Sequence, residues 1–290
     1  MSILDRVTES NANPPGAVLP FMVGDRRIGW VPRLFAPRLA RFGDLFKVEE
    51  GRVVLLRPEI GFEALTSEIE AALRQLYDED RAGFGLWSGE RLPFPGFPGR
   101  HLFALERAAA TALGVFGRGA HVNCFTRRGG VTRMWVARRP WDAFQAPGKL
   151  DQAAAGSVAN GRSVRETLRD EAWDEAGIPP DLSDRAVAVG AVGFFLADSH
   201  TVRHGSNLCF DLELPSDFVP VNGDGEVAEF LLFDLADLRD LLEREAAFKW
   251  DAGLVVIDFL IRHGVIEHDY PGYLEIVSGL RGWLPSGGGR

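Results

Sequence analysis

Residues 156–178, GSVANGRSVRETLRDEAWDEAGI, constrain the fold more than any other stretch of the chain. They read as a glycine-bearing loop that enters one short helix. Ser163 followed three residues later by Glu166 is a capping-box pattern and sets the helix start. Gly177 and then Pro179-Pro180 forbid continuation beyond Ala176. Leu168, Ala172 and Ala176 recur every four residues and predict the core-facing side. Glu171, Asp174 and Glu175 stand at i, i+3 and i+4, so they share one face spanning about 100°. Like charges at such spacing destabilise an isolated helix by about 0.2–0.5 kcal/mol per pair. A hard cation with oxygen ligands removes that penalty, and Mg²⁺ binds through one or two carboxylates plus substrate phosphates. By spacing alone, a solvated acidic face is the alternative.

The rest of the chain frames this segment. At 290 residues it is long for one core and comfortable for two, and 46% hydrophobic with 25% charged residues is ordinary globular usage. A net charge of −9 argues against generic binding to nucleic-acid backbones or anionic membranes, since both attract basic surfaces. Cys124 and Cys209 lie far apart in apolar surroundings and read as buried structural thiols, not a disulfide or zinc framework. Residues 1–16 are expected to be a flexible lead without the apolar region of a signal peptide. No run approaches the ~18–20 apolar residues of a membrane helix, so a cytoplasmic protein is expected.

Residues 17–114 are read as a smaller N-terminal α/β domain. Within it a hairpin is expected from strands around 45–48 and 52–56, then a helix over 62–77, loop over 84–100 and a packed alanine-rich helix over 102–113. The second domain is read as 115–284. Strands are expected at 121–126 and 132–137 about an Arg127-Arg128-Gly129-Gly130 turn, and at 187–196, 208–214 and 229–233, with helices over 163–176, 235–245 and 253–263. Residues 285–290 are expected to be a disordered tail.

Residues 156–178 resemble the Nudix box, G-x5-E-x7-R-E-U-x-E-E-x-G-U with U aliphatic. Gly156, Glu171, Glu175, Gly177 and Ile178 match, Ala172 takes the first U, and Asp174 is an acidic substitute. Two positions depart: Arg162 replaces the loop glutamate and Asp170 the helix arginine. That pair often braces loop against helix in the family, and the exchanged signs predict a brace of reversed polarity. They also remove one potential metal-ligand carboxylate. The resemblance implies an α+β protein, a Nudix α/β/α sandwich around a mixed β-sheet, preceded by the smaller domain. It implies hydrolysis of a phosphoanhydride with Mg²⁺, Mn²⁺ being the substitute ion.

A narrower resemblance rests on Gly119-Ala120-His121-Val122-Asn123, on Trp135 to Arg139, on Pro147 to Asp151, on Asp224-Gly225-Glu226-Val227 and on residues 248–264. These look like a Nudix subgroup with an extra N-terminal domain, often labelled as related to thiamine pyrophosphokinase. Its characterised members convert thiamine diphosphate, especially damaged analogues, to the monophosphate. No P-loop of the G-x-x-x-x-G-K-[ST] type accompanies the kinase label.

The resemblance implies Glu171, Asp174 and Glu175 as metal ligands and Glu171, Glu175, Glu226 or Glu229 as catalytic carboxylates, one of which takes the proton from the attacking water. Arg138, Arg139, Lys149 and Gly156 are the expected substrate-binding positions, the cations contacting phosphates. Trp135, Trp141 and Phe144 are candidates to stack on the substrate's ring, against core packing as the alternative. His121 and Asn123 are weighed as structural. The expected partner is a small-molecule diphosphate, with no nucleic acid and no membrane; a homodimer is compatible with the reading. A nucleoside-diphosphate-sugar pyrophosphatase of ADP-ribose type is the alternative enzyme. A non-catalytic diphosphate-binding regulator on a degenerate scaffold is the alternative from another class.

Overall fold

The computed structural model describes residues 1–12, 16–81, 84, 86–94 and 101–282. Helix α1 (Ile3–Glu9) comes first, then the hairpin β1 (Val18–Val23) and β2 (Arg26–Pro32), short helix α2 (Ala36–Leu39) and the hairpin β3 (Phe46–Glu49) and β4 (Arg52–Leu55). Strands β1 and β4 pair in parallel, giving a four-stranded sheet of order β2-β1-β4-β3. Helix α3 (Phe62–Glu79) covers it with Leu65, Ile69, Leu73 and Leu76, the face expected from helical spacing, all fully buried. Strands β5 (Arg91–Phe94) and β6 (Phe103–Glu106) form a separate two-stranded ribbon, followed by helix α4 (Arg107–Ala112).

The chain then builds a larger layered unit from β7 (Phe116–Arg128), β8 (Val131–Arg138), β9 (Leu150–Gln152), β10 (Ala154–Ser157), α5 (Val164–Ala176) and α6 (Pro180–Ser183). It is completed by β11 (Val187–Ala197), β12 (Val202–Glu213), β13 (Glu229–Asp234), α7 (Leu235–Arg244), α8 (Trp250–Arg262) and α9 (Tyr273–Gly279). The sheet order is β11-β12-β7-β8-β13, with β10 on β7 and β9 on β8. Strand β12 runs parallel to β7 and the other pairs are antiparallel, so the sheet is mixed and the protein α+β as expected. Alternation along β7 separates the two faces. Ala120, Val122 and Cys124 join Leu168, Ala172 and Ala176 of α5, while Phe125 joins the cluster built on α8. That places α5 on one face and α8 on the other. No helix among the described residues is long and apolar enough to cross a membrane.

Two local expectations are corrected. Within residues 1–16, read as a flexible lead, residues 3–9 form α1. It is capped by a Ser2–Asp5 box, and its Ile3 and Val7 are buried against Ile276 and Leu280 of the larger unit. Ser10 Oγ donates to the Trp250 carbonyl (2.8 Å) and Arg6 Nε to that of Leu242 (3.1 Å), pinning the segment. Only two core positions in seven residues carry the pattern, too few to signal a helix. Residues 102–113, read as one helix, begin as strand β6 and turn helical only from Arg107. Phe103 stacks on Phe94 with ring centroids 4.7 Å apart, and Ala104 N–H donates to Thr66 Oγ1 (3.0 Å). Pairing with β5 thus overrides helix propensity until Glu106 caps α4. The expected tail at 285–290 lies outside the described residues.

Ile3→Ala is expected to destabilise the protein by about 2–4 kcal/mol, because it opens a cavity in a filled cluster. A urea denaturation midpoint equal to the wild type's would show that α1 carries none of the core.

Candidate functional site

Helix α5 is built locally as the sequence requires. The Ser163 hydroxyl accepts from Glu166 N–H (3.2 Å), and the Glu166 carboxylate accepts from Ser163 N–H (2.8 Å). Gly177 ends the helix in the left-handed region at φ 62°, with Ile178 N–H donating to the Ala172 carbonyl. Arg162 and Asp170 pair, so the reversed-polarity brace is present. Both side chains are about half exposed, which limits its worth to about 0–1 kcal/mol.

The helix packs against β10, which supplies the glycine loop's first residues. Ala155 N–H donates to Glu175 Oε2 (2.8 Å), and Glu175 is buried. A Cβ on Gly156 would overlap the Glu171 side chain where it now lies, so a larger residue there would displace that carboxylate. On the other side, the loop after β12 docks on the C-terminal turn of α5. Val221 N–H donates to the Ala176 carbonyl (3.1 Å) and Gly223 N–H to that of Asp174 (3.0 Å). The Asn222 side chain then ties the turn together, accepting from Asp224 and Gly225 N–H and donating to the Val227 carbonyl. This knot carries Asp224 and Glu226 toward the acidic face of α5.

The electrostatics record the crowding. Burial pushes Glu171 up to about 7, helped first by the charge of Glu226, then by Glu90, Asp174 and Asp224. Glu175 is raised well above the usual carboxylate range by burial, against the pull of the Ala155 N–H and with repulsion from Glu171, Asp151 and Glu226. Glu90 is raised by burial too, opposed by Arg107 and reinforced by Glu106 and Glu226. Among the described residues, no three His, Cys, Asp or Glu side chains converge closely enough to enclose a metal ion as placed. The donor chemistry nevertheless fits one: hard carboxylate oxygens, partly dehydrated and raising one another's pKa, are the groups a divalent cation stabilises.

The remaining sequence candidates divide. Glu226 belongs with Glu171, whereas Glu229 is held in an ion pair by Arg138 (2.5 Å), whose other nitrogen donates to the Gly148 carbonyl. Arg139 is engaged by the Gln145 carbonyl (3.0 Å) and by Asp151 (3.5 Å). Lys149 is not brought to the acidic face: its ammonium donates to the Ala246 carbonyl, and it lines a cavity with Arg6 and Trp250 on the α8 side. Trp141 packs over Gly148 beside Arg138 and stays exposed, as does Phe144, while Trp135 packs against the α5 cluster. His121 and Asn123 are buried structural groups, His121 bonded to Gln152 (2.7 Å) and Asn123 donating to Asp211 (3.0 Å). Sequence reasoning missed Glu90. It precedes a four-residue strand inside a stretch read as loop, and no local pattern marks it.

Residues 2–117 match a family model described as a domain of unknown function, DUF4743. The chain is 36% identical over 272 residues to the Arabidopsis thaliana protein named Nudix hydrolase 24, chloroplastic, covering 92% of this chain and 73% of that one. It is 33% identical to Nudix hydrolase 20, chloroplastic, from the same plant, with the same coverages. This chain belongs to the Nudix hydrolase family. Among solved structures it is similar to a Caenorhabditis elegans Ap4A hydrolase, at TM-score 0.39 and 12% identity over 51% of this chain and 98% of that one. A MutT protein from Methanosarcina mazei Go1 is similar at TM-score 0.40 and 18% identity, over 51% and 95%.

The raised Glu171 has a consequence for stability. Its folded value of about 7 lies above the ordinary 4.5, so its contribution favours folding below pH 4.5 and is lost as pH rises through 7. Glu171→Gln in a chelator-treated sample is therefore expected to be more stable than the wild type at pH 8, by on the order of 1 kcal/mol after solvent screening. The two should be alike near pH 4. Urea melts at both values check the difference, and an equal gap at each pH would contradict it.

Proposed function

We propose that this Nudix hydrolase cleaves the phosphoanhydride bond of a small diphosphate, using Mg²⁺ held by Glu171, Asp174 and Glu175. The observation that carries the reading is the docking of the 221–227 loop, which bears Glu226, on the last turn of α5, the helix whose Glu171 and Glu175 are raised by burial. When bound, the cation supplies charge neutralisation on the diphosphate oxygens and acidifies water. Glu226 accepts the proton as the water oxygen bonds to phosphorus and the bridging P–O bond breaks, giving a monophosphate and phosphate. Glu229 is the lesser candidate because Arg138 already engages it. Gly156 leaves room for Glu171, and the Ala155 N–H keeps Glu175 oriented.

The favoured substrate is thiamine diphosphate or an oxidised or damaged analogue. Its support is the resemblance of residues 119–123, 135–139, 147–151, 224–227 and 248–264 to the thiamine-diphosphate-hydrolysing subgroup. The exposed rings of Trp141 and Phe144 add support: an aromatic face attracts a cationic thiazolium, an interaction of about 0.5–2 kcal/mol.

Glu175→Gln is expected to lower Mg²⁺-dependent hydrolysis by at least about 100-fold, because a buried carboxylate oriented for the metal is lost. The substrate is decided by comparing phosphate release from oxo-thiamine diphosphate with AMP release from ADP-ribose. Turnover of ADP-ribose alone would remove the thiamine assignment. No turnover across a diphosphate panel would favour a ligand-binding regulator on this scaffold.

A further inference from the structure

A cavity of about 210 Å³ lies on the α8 side of the sheet, where α1, the loop between β8 and β9, the end of α7 and the start of α8 meet. Helix α5 packs on the other face, so the sheet separates this space from the hydrolytic helix. The inner wall is apolar, built by the buried Leu242 and Phe248 with Trp250. Gly253 completes it from inside α8. Glycine is a poor helix former, and nothing in the backbone demands it at this position. Its φ is not in the left-handed region, and a Cβ would meet Phe248 Cβ at 3.5 Å and Leu242 Cδ2 at 3.8 Å, ordinary contact distances. What glycine does here is leave the cavity open.

Charge is arranged with the cations inward. The acids of the lining, Glu9 and Glu245, are exposed, whereas Arg6 is buried and Lys149 and Lys249 are partly buried. Arg6 is engaged by Glu9 and the Leu242 carbonyl, and Lys249 by Asp151 and Asp251. Lys149 differs from both. Its ammonium has three donors, one goes to the Ala246 carbonyl, and among the described residues no carboxylate pairs with it. The turn that presents it holds Ala146 in the left-handed region at φ 48°, with the Ala146 carbonyl accepting from Lys149 N–H (3.2 Å). A cation with donors to spare beside an apolar wall suits an anionic head on an apolar body. The volume lies below the ~300–1,000 Å³ of a drug-sized site, which limits that body to about one ring.

We propose that this cavity binds a small organic anion, a carboxylate or phosphate monoester carried on a single ring. Lys149 takes the anionic head, and Gly253 leaves room for the ring between Leu242, Phe248 and Trp250. The site is distinct from the hydrolytic one and does not depend on that reading.

The test is isothermal titration calorimetry on the full chain in the presence of a chelator, so that no metal can hold a phosphate at α5. The probes are phenyl phosphate, benzoate and benzyl alcohol, the last having the ring without the anion. At least one anion is expected to bind, and benzyl alcohol to bind it at least about 10-fold more weakly for want of a charge-assisted hydrogen bond. The tighter of the two anions assigns the head group. Lys149→Met should weaken that anion by about 10-fold, and Lys47→Met, on the surface of the first domain, should leave it unchanged. Gly253→Ala should raise the melting temperature yet weaken binding, a combination that a packing role for the glycine would not give. Gly253→Val should abolish binding by filling the cavity, and Lys149→Met carries the comparison should that variant not fold. Binding of neither anion, or equal affinity in Lys149→Met and the wild type, would overturn the proposal. Unchanged affinity in a folded Gly253→Val would overturn it, as would benzyl alcohol binding as tightly as the anions.

Discussion

The packing of α5 against β10 sets the terms for the rest of this protein. It buries Glu175, presses Glu171 against a glycine, and makes both harder to ionise. A stable helix would avoid such an arrangement, and the fold sustains it through apolar contacts of Leu168, Ala172 and Ala176 on the adjoining side of the same helix. The capping box and the Gly177 stop hold the helix in register, so its acidic face cannot rotate away. Stability is given up at the site and recovered in the core beneath it, as expected where function needs a perturbed carboxylate.

Two further structures hold that face in place. The loop at 221–227 is fastened to the last turn of α5 by backbone bonds and knotted by Asn222, so Glu226 arrives on a fixed turn. On the α8 side lies a buried polar layer. Lys249 stands 3.1 Å from Asp251 and 3.5 Å from Asp151, and the opposite charges raise the lysine's pKa and lower that of Asp251 despite burial. Gln152 joins His121 and donates to the Ala252 carbonyl, tying β9 to the start of α8. Buried pairs of this kind add little net stability, and their better-attested use is to fix one register. Here they fix β9, and with it Asp151, whose charge reaches Glu175.

The two cores are interlocked. Helix α1 precedes the first domain in sequence yet packs in the second. Between the units the Trp30 ring meets Phe195 edge-on at 5.6 Å, while its N–H donates to the Leu113 carbonyl (3.0 Å) within the first domain. Within the first domain a Cβ on Gly29 or Gly114 would strike backbone of the facing segment, so close approach of β2 and the end of α4 depends on both glycines.

The loop and helix at 156–178 were determined by the sequence itself, because caps, stop signal and core face are all satisfied within three or four residues. The same locality made the hairpin about Gly129-Gly130 and the buried stripe of α3 legible. Tertiary structure alone decided the rest. It separated Glu226 from Glu229 by giving the latter to Arg138, moved Lys149 to the α8 side, and turned residues 103–106 from helix to strand. It also placed α1 in a distant core. Each of these rests on contacts between groups far apart in the chain, and such contacts leave no periodicity, cap or turn signal by which a sequence announces them.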